Sequence, residues 1–149
     1  MNKEGRYERI YDQITKLIRN IEWPVSRMST INALLHFKMN GFFWTGFYLL
    51  HEDELLVGPY QGPVACLKLK KNTGVCWAAV SKMEPVIVEN VDEFPGHIAC
   101  DSRSKSEIAV PVFQNEKVVG VLDIDSEKLT NFDETDALHL SKIVTLIYP

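Results

Sequence analysis

"SEIAVPVFQNEKVVGVLDIDS" (residues 106–126) holds two runs rich in β-branched residues, SEIAVPVF and KVVGVLDIDS, on either side of the short polar break QNE. Strands joined by so few residues can only fold back on each other, so the stretch predicts an antiparallel hairpin. Side chains alternate along a strand. Asp123 and Asp125 therefore leave one face together with Val119 and Val121, the two carboxylates lying roughly 7 Å apart along the strand. Leu122 and Ile124 leave the opposite face, which becomes the face that packs against helices. The aspartate face lines either solvent or a pocket: the pair reads as a solvated strand end, or as a wall that binds a cation or an ammonium group or shares a proton.

Working outward, "EPVIVEN" is a further short β-branched strand, and "FFWTGFYLL" (42–50) and "ELLVGPY" (54–60) flank "HED" as a second hairpin. "CLKLK" alternates and reads as a short strand, and "NTGVCWAAVSK" reads as one short Ala-rich helix. At the N-terminus Tyr7, Ile10, Tyr11, Ile14, Leu17 and Ile18 recur at helical spacing and predict an amphipathic helix over 3–20 that Pro24 closes. Met28, Ile31, Leu34, Leu35 and Met39 predict a second helix over 26–39 with Ser26 as its N-cap and Asn40-Gly41 as its stop. A last helix starts at Asp133 with the stripe Leu138, Leu140, Ile143, Val144 and Ile147. The fold class is α+β: a central antiparallel sheet with the N- and C-terminal helices packed on one face, in one domain spanning 1–149.

Composition narrows the function classes. The chain has 149 residues, 46% hydrophobic and 24% charged, enough for one sizeable core. A net charge of −4 with scattered Lys and Arg gives no nucleic-acid footprint. The charged N-terminus lacks a signal peptide's apolar region, and "GFFWTGFYLL" is too short to cross a bilayer, so no membrane partner and a cytoplasmic location are expected. In that reducing setting an odd count of three cysteines argues against a permanent disulfide framework.

The loop "FPGHIACDSRSKSEIAVP" (94–111) sets Cys100 among His97, Asp101, Arg103 and Lys105. Cationic neighbours raise the thiolate fraction, and a loop of small residues exposes sulfur to a ligand, although a buried or incidental thiol is the alternative for any single cysteine. Cys76, in the Ala-rich helix, suits the buried alternative; Cys66, ending "YQGPVAC", does not. Zinc is not expected, because Cys66, Cys76, Cys100 and His97 lack metal-ligand spacing. No phosphate-binding Gly loop and no Gly-x-Ser-x-Gly elbow occur.

"GPYQGPVAC", "GVCWAA", "FPGHIACDSRSKSEIAVP" and "GVLDIDS", in that order and over most of the chain from Trp44 onward, resemble the free methionine-(R)-sulfoxide reductases, stand-alone GAF-domain enzymes. The resemblance implies a GAF-like fold and reduction of free L-methionine-(R)-sulfoxide to methionine. By it Cys100 matches the nucleophile that is left as a sulfenic acid, Cys66 the resolving thiol that forms a disulfide with it, and Cys76 a third cysteine of structural or spare resolving role. Trp44 and Tyr48, four apart on one strand, match a hydrophobic wall for the methyl-sulfinyl end; Glu107, Asp123 and Asp125 match carboxylates around the polar groups. It further implies a thioredoxin-type reductant, a part in oxidative-stress defence, no metal, flavin or nicotinamide cofactor, and a homodimer. Trp77 after Cys76, and Arg103 and Lys105 after the nucleophile, depart from the pattern; the indole restricts the approach of Cys76 to Cys100 and the cations favour a Cys100 thiolate. A small-ligand-binding or redox-sensing GAF module without turnover is the alternative.

Overall fold

The computed structural model describes residues 2–97 and 99–149. Its elements run α1 (Lys3–Ile18), α2 (Pro24–Lys38), β1 (Trp44–His51), β2 (Glu54–Gln61), α3 (Gly74–Lys82), β3 (Val86–Val88), β4 (Ser106–Gln114), β5 (Lys117–Ser126) and α4 (Glu134–Val144), with a 3-10 turn at Val91–Glu93. The strands form one antiparallel sheet in the order β2-β1-β5-β4-β3, so the 106–126 hairpin supplies its centre. Both hairpin turns run through positive φ, at Glu52 and Asp53 and at Asn115 and Glu116, the geometry that matches the twist of adjoining strands.

The two faces of the sheet have different cores. Leu122, Ile124, Phe47, Ile108 and Val110 pack with Tyr7, Ile10 and Ile14 of α1, Met28, Ile31 and Leu35 of α2, and Leu140 and Ile143 of α4. Each such fully buried side chain contributes about 1.5–3 kcal/mol by removal from water. The other face carries Val121, Ala109, Val86 and Val88 against α3. Three helices therefore lie on one face, as the N- and C-terminal periodicities predict, and α3 covers part of the face that bears Asp123.

Helix ends follow local chemistry. Asn2 caps α1 by accepting from the Gly5 amide at 2.8 Å, and Asp133 and Asp136 form a reciprocal capping box on α4. Asp136 also accepts from the Tyr7 hydroxyl at 2.5 Å and from Lys3 Nζ at 2.7 Å, tying α1 to α4.

Four local expectations are corrected. Pro24 opens α2 at its first turn instead of closing the preceding helix, and Trp23, not Ser26, is the N-cap residue; proline's fixed φ and missing amide suit that position. Leu17 and Leu138 point into solvent, because the buried stripes are Tyr7-Ile10-Ile14-Ile18 and Ala137-Leu140-Ile143-Val144. Val119 packs with the helical core instead of sharing the aspartate face, since a bulge sets Val112 opposite Gly120 and Phe113 opposite Val118, leaving Val119 as the extra residue. "CLKLK" is reduced to a single bridge from Lys68 to Leu56. No helix among the described residues is long and apolar enough to cross a membrane.

Candidate active site

Register across the sheet brings the carboxylates together. Trp44 lies opposite Asp125, and Asp125 opposite Glu107; in the next row on the same face Gly46 lies opposite Asp123, and Asp123 opposite Ala109. Directly paired residues project to the same side, so Glu107, Asp123 and Asp125 converge, with the small Gly46 and Ala109 leaving room around Asp123. The helix α3 lowers Cys76 onto this group: donor atoms of Cys76, Glu107 and Asp123 all lie within 4.8 Å of one another.

The aromatic wall is built on β1. Gly46 separates Trp44 from Tyr48, and a Cβ there would approach the Trp44 ring at 2.6 Å, so only glycine lets the indole lie across the strand. Trp44 stacks on Tyr48 with centroids 5.7 Å apart and on Tyr60 at 5.2 Å. The polar tips of both residues hold the next loop: Trp44 Nε1–H donates to the Pro63 carbonyl at 3.1 Å, and Tyr48 O–H donates to the Cys66 carbonyl at 3.0 Å. Cys66 is thereby presented to Cys100, and the two are joined by a disulfide with Cα atoms 5.5 Å apart across 34 residues of sequence. Cys76 is free and buried.

The segment after Cys100 is clamped. Asp101 accepts from the Arg103 amide and Nε at 2.9 Å and from its terminal nitrogen at 2.7 Å, and the guanidinium sits 4.7 Å from the centroid of Phe43. The Arg103 charge, expected from sequence to act on Cys100, is thus engaged by Asp101.

Burial governs protonation. Glu107 is pushed up to about 8, by burial first and by the negative charge of Asp125 second, while a hydrogen bond with Asp123 works the other way. Asp123 is raised well above the carboxylate range by burial and by Glu107, and Asp125 by burial and by Asp123. Burial also pushes the Cys76 thiol up, reinforced by Asp123, and Tyr48 is raised by burial and by Asp123. Burial lowers His97, partly countered by Asp123 and Asp92. Burial and mutual repulsion therefore favour the protonated forms, since three close carboxylates cannot all ionise in one desolvated pocket. Asp123 Oδ1 is buried without a hydrogen-bond partner within the protein, a polar atom free to meet a ligand.

Trp44, Tyr48, Cys76, Cys100, Glu107, Asp123 and Asp125 all line one pocket, and Cys66 joins it through the disulfide. Trp77, beside Cys76, lies in the core and does not line it. Sequence reasoning missed Phe43, which gave no signal apart from its place before the strand. Sequence reasoning also places His97 beside Cys100 and among the rejected zinc ligands but not against Glu107, whereas Nε2 faces Glu107 Oε1 at 3.5 Å.

The family model described as GAF domain matches residues 30–147. The free methionine-R-sulfoxide reductase of Escherichia coli is 36% identical over 144 residues, covering 97% of this chain and 87% of that protein. The crystal structure of free methionine-R-sulfoxide reductase from Neisseria meningitidis, solved with its substrate, is 40% identical, covers 99% of this chain and 89% of that one, and superposes with a TM-score of 0.94. The chain belongs to the free methionine-R-sulfoxide reductases, a family of GAF-domain oxidoreductases. A further reductase structure, from Staphylococcus aureus in the reduced form, is 42% identical with a TM-score of 0.90 and covers 95% of this chain and 92% of that one. In this chain the carboxylate cluster and the cysteine pair meet at one pocket. That arrangement separates the chain from a GAF fold alone, which hosts many functions.

Proposed function

We propose that this chain, acting over 1–149 as a single GAF domain, reduces free L-methionine-(R)-sulfoxide to methionine with Cys100 as nucleophile and Cys66 as resolving thiol. The observation that carries the reading is the Cys66–Cys100 disulfide at a pocket floored by proton-holding carboxyl groups and walled by Trp44 and Tyr48. The Cys100 thiolate attacks the sulfoxide sulfur while a protonated carboxyl group hydrogen-bonds the sulfoxide oxygen. The oxygen passes to the Cys100 sulfur, which becomes a sulfenic acid, and methionine leaves as the thioether. The Cys66 thiol then attacks that sulfur, the oxygen departs as water, and the disulfide forms. A dithiol of thioredoxin type returns both cysteines by exchange and is itself oxidised.

Asp123, held protonated by burial, suits the acid; Asp125 and Glu107 suit the substrate ammonium, whose charge favours their ionised forms. Cys76 stays a buried thiol beside Asp123 and orders the acid without attacking. A cytoplasmic setting supplies the reductant, and the exposed Leu17, Trp23 and Phe37 on and between α1 and α2 support a homodimer, which sedimentation equilibrium checks.

The test is turnover of free methionine sulfoxide with thioredoxin or dithiothreitol. Cys100→Ser is expected to abolish consumption, whereas Cys66→Ser completes a single turnover and then stalls. A Cys100→Ser protein that turns over normally removes the assignment. Disulfide formation without steady-state consumption would instead identify a redox sensor.

A further inference from the structure

His97 reaches out of the Pro-Gly loop into the pocket, where its imidazole is largely buried and Nε2 lies 3.5 Å from Glu107 Oε1. The loop is formed to hold it there: Gly96 takes φ +74° and the His97 amide donates to the Phe94 carbonyl at 3.2 Å. Among the described residues His97 is the one basic side chain within 4 Å of Glu107. The other groups facing it are Asp123 and Asp125 on β5, Cys76 on α3, and Asp92 on the 3-10 turn, all neutral or acidic; the exposed Lys70 stands at the pocket's edge.

An ammonium entering this pocket changes the preferred protonation. Beside a fixed positive charge Glu107 is better ionised, and its proton must either leave through a site closed by two loops or move to the base already beside it. We propose that His97 is a positioning residue that takes the Glu107 proton when the substrate ammonium binds, so that recognition of a free amino group creates an imidazolium in the loop that carries Cys100. The inference rests on the function proposed above and deepens it. One proton moves from Oε1 to Nε2 and no bond to carbon or sulfur changes. The site is then charge-balanced, with ammonium against the Glu107 carboxylate and imidazolium against the Cys100 thiolate, which such a cation favours. Burial lowers His97 and raises Glu107, so the proton rests on Glu107 when no ammonium stands beside it.

The experiment uses the reduced full-length protein and methionine sulfone, which carries the same ammonium and is not reduced. On saturation near neutral pH the His97 ring resonances are expected to move to imidazolium positions, and Glu107→Gln is expected to abolish that movement. In turnover, His97→Gln should lower kcat about tenfold or more near neutrality. The loss should shrink as the pH rises, because the thiolate then forms without an imidazolium. A His97 that stays neutral at saturation, or a loss of equal size at every pH, overturns the inference. If His97→Gln does not fold, the resonance measurement on the unmodified protein decides alone. Binding of sulfone with a neutral His97 sinks only this inference, while failure both to bind sulfone and to consume sulfoxide sinks the reading beneath it.

Discussion

Glu107 keeps its proton until about pH 8, although an exposed glutamate loses it near 4.5. The folded chain therefore binds more protons than the unfolded chain between those values, and folding stability falls as the pH rises through that window. Its contribution is fully present below the unfolded pKa and gone above the folded one. Glu107→Gln removes the titration but keeps the shape, so at alkaline pH it is expected to be more stable than the unmodified protein by on the order of a few kcal/mol, seen as a higher Tm, and to differ little near pH 5. Thermal unfolding of both proteins across the range checks this. Equal differences at both ends would mean that Glu107 is not desolvated as described. Asp123 and Asp125 shift in the same direction, so some slope survives in the variant. At this scale the strand period makes the shared face of Asp123 and Asp125 legible from sequence. The approach of His97 to Glu107 is not legible, because it depends on how a loop closes over a neighbouring strand.

The strand β1 shows what an element requires beyond its period. Its alternation sends Thr45 and Phe47 to the helical side and Trp44, Gly46 and Tyr48 to the pocket side, as "FFWTGFYLL" allows one to expect. The glycine's role is visible only in three dimensions. A methyl at position 46 would run into Tyr60 Cβ and the Trp44 ring, in a row flanked by Asp123. Gly46→Ala is thus expected to cost about 1–3 kcal/mol, read as a lower urea midpoint. It is also expected to reduce sulfoxide turnover, since displacing Trp44 releases Pro63 and the loop that presents Cys66. Gly58→Ala is the comparison: its nearest atom is a Leu49 side-chain carbon at 3.1 Å, and the pocket is elsewhere. If the two variants behave alike, the wall has no special need of glycine. Elements with a strong period were readable to within a few residues. The errors fell where local rules compete, as at Pro24, equally able to end one helix or begin the next, and at Val119, turned by a bulge that no pattern announces.

Across the whole molecule the sheet divides labour between its faces, and that division bears on which substrates can react. The helical face is an apolar core, while the opposite face sinks three carboxyl groups into a pocket beneath α3 and the joined Cys66 and Cys100 loops. Asp123 Oδ1, buried among them, has no hydrogen-bond partner within the protein. The ammonium of a free amino acid supplies charge-assisted hydrogen bonds there. A methionine sulfoxide inside a peptide offers an amide instead and brings a chain that must pass between the two loops. Leaving one such buried group unpaired costs about 1–3 kcal/mol, or more when it is charged. N-acetylated, C-amidated methionine sulfoxide is accordingly expected to react at least about tenfold more slowly than the free amino acid, since about 1.4 kcal/mol already corresponds to that factor. Asp125→Asn should lower the rate on the free amino acid and shrink the preference, because it removes a charge from the side the ammonium meets. Competition between the two substrates, with consumption of each followed separately, gives the ratio directly. Equal turnover of blocked and free substrate by the unmodified protein would show that the carboxylates do not read the amino group, even with Cys100 established as the nucleophile.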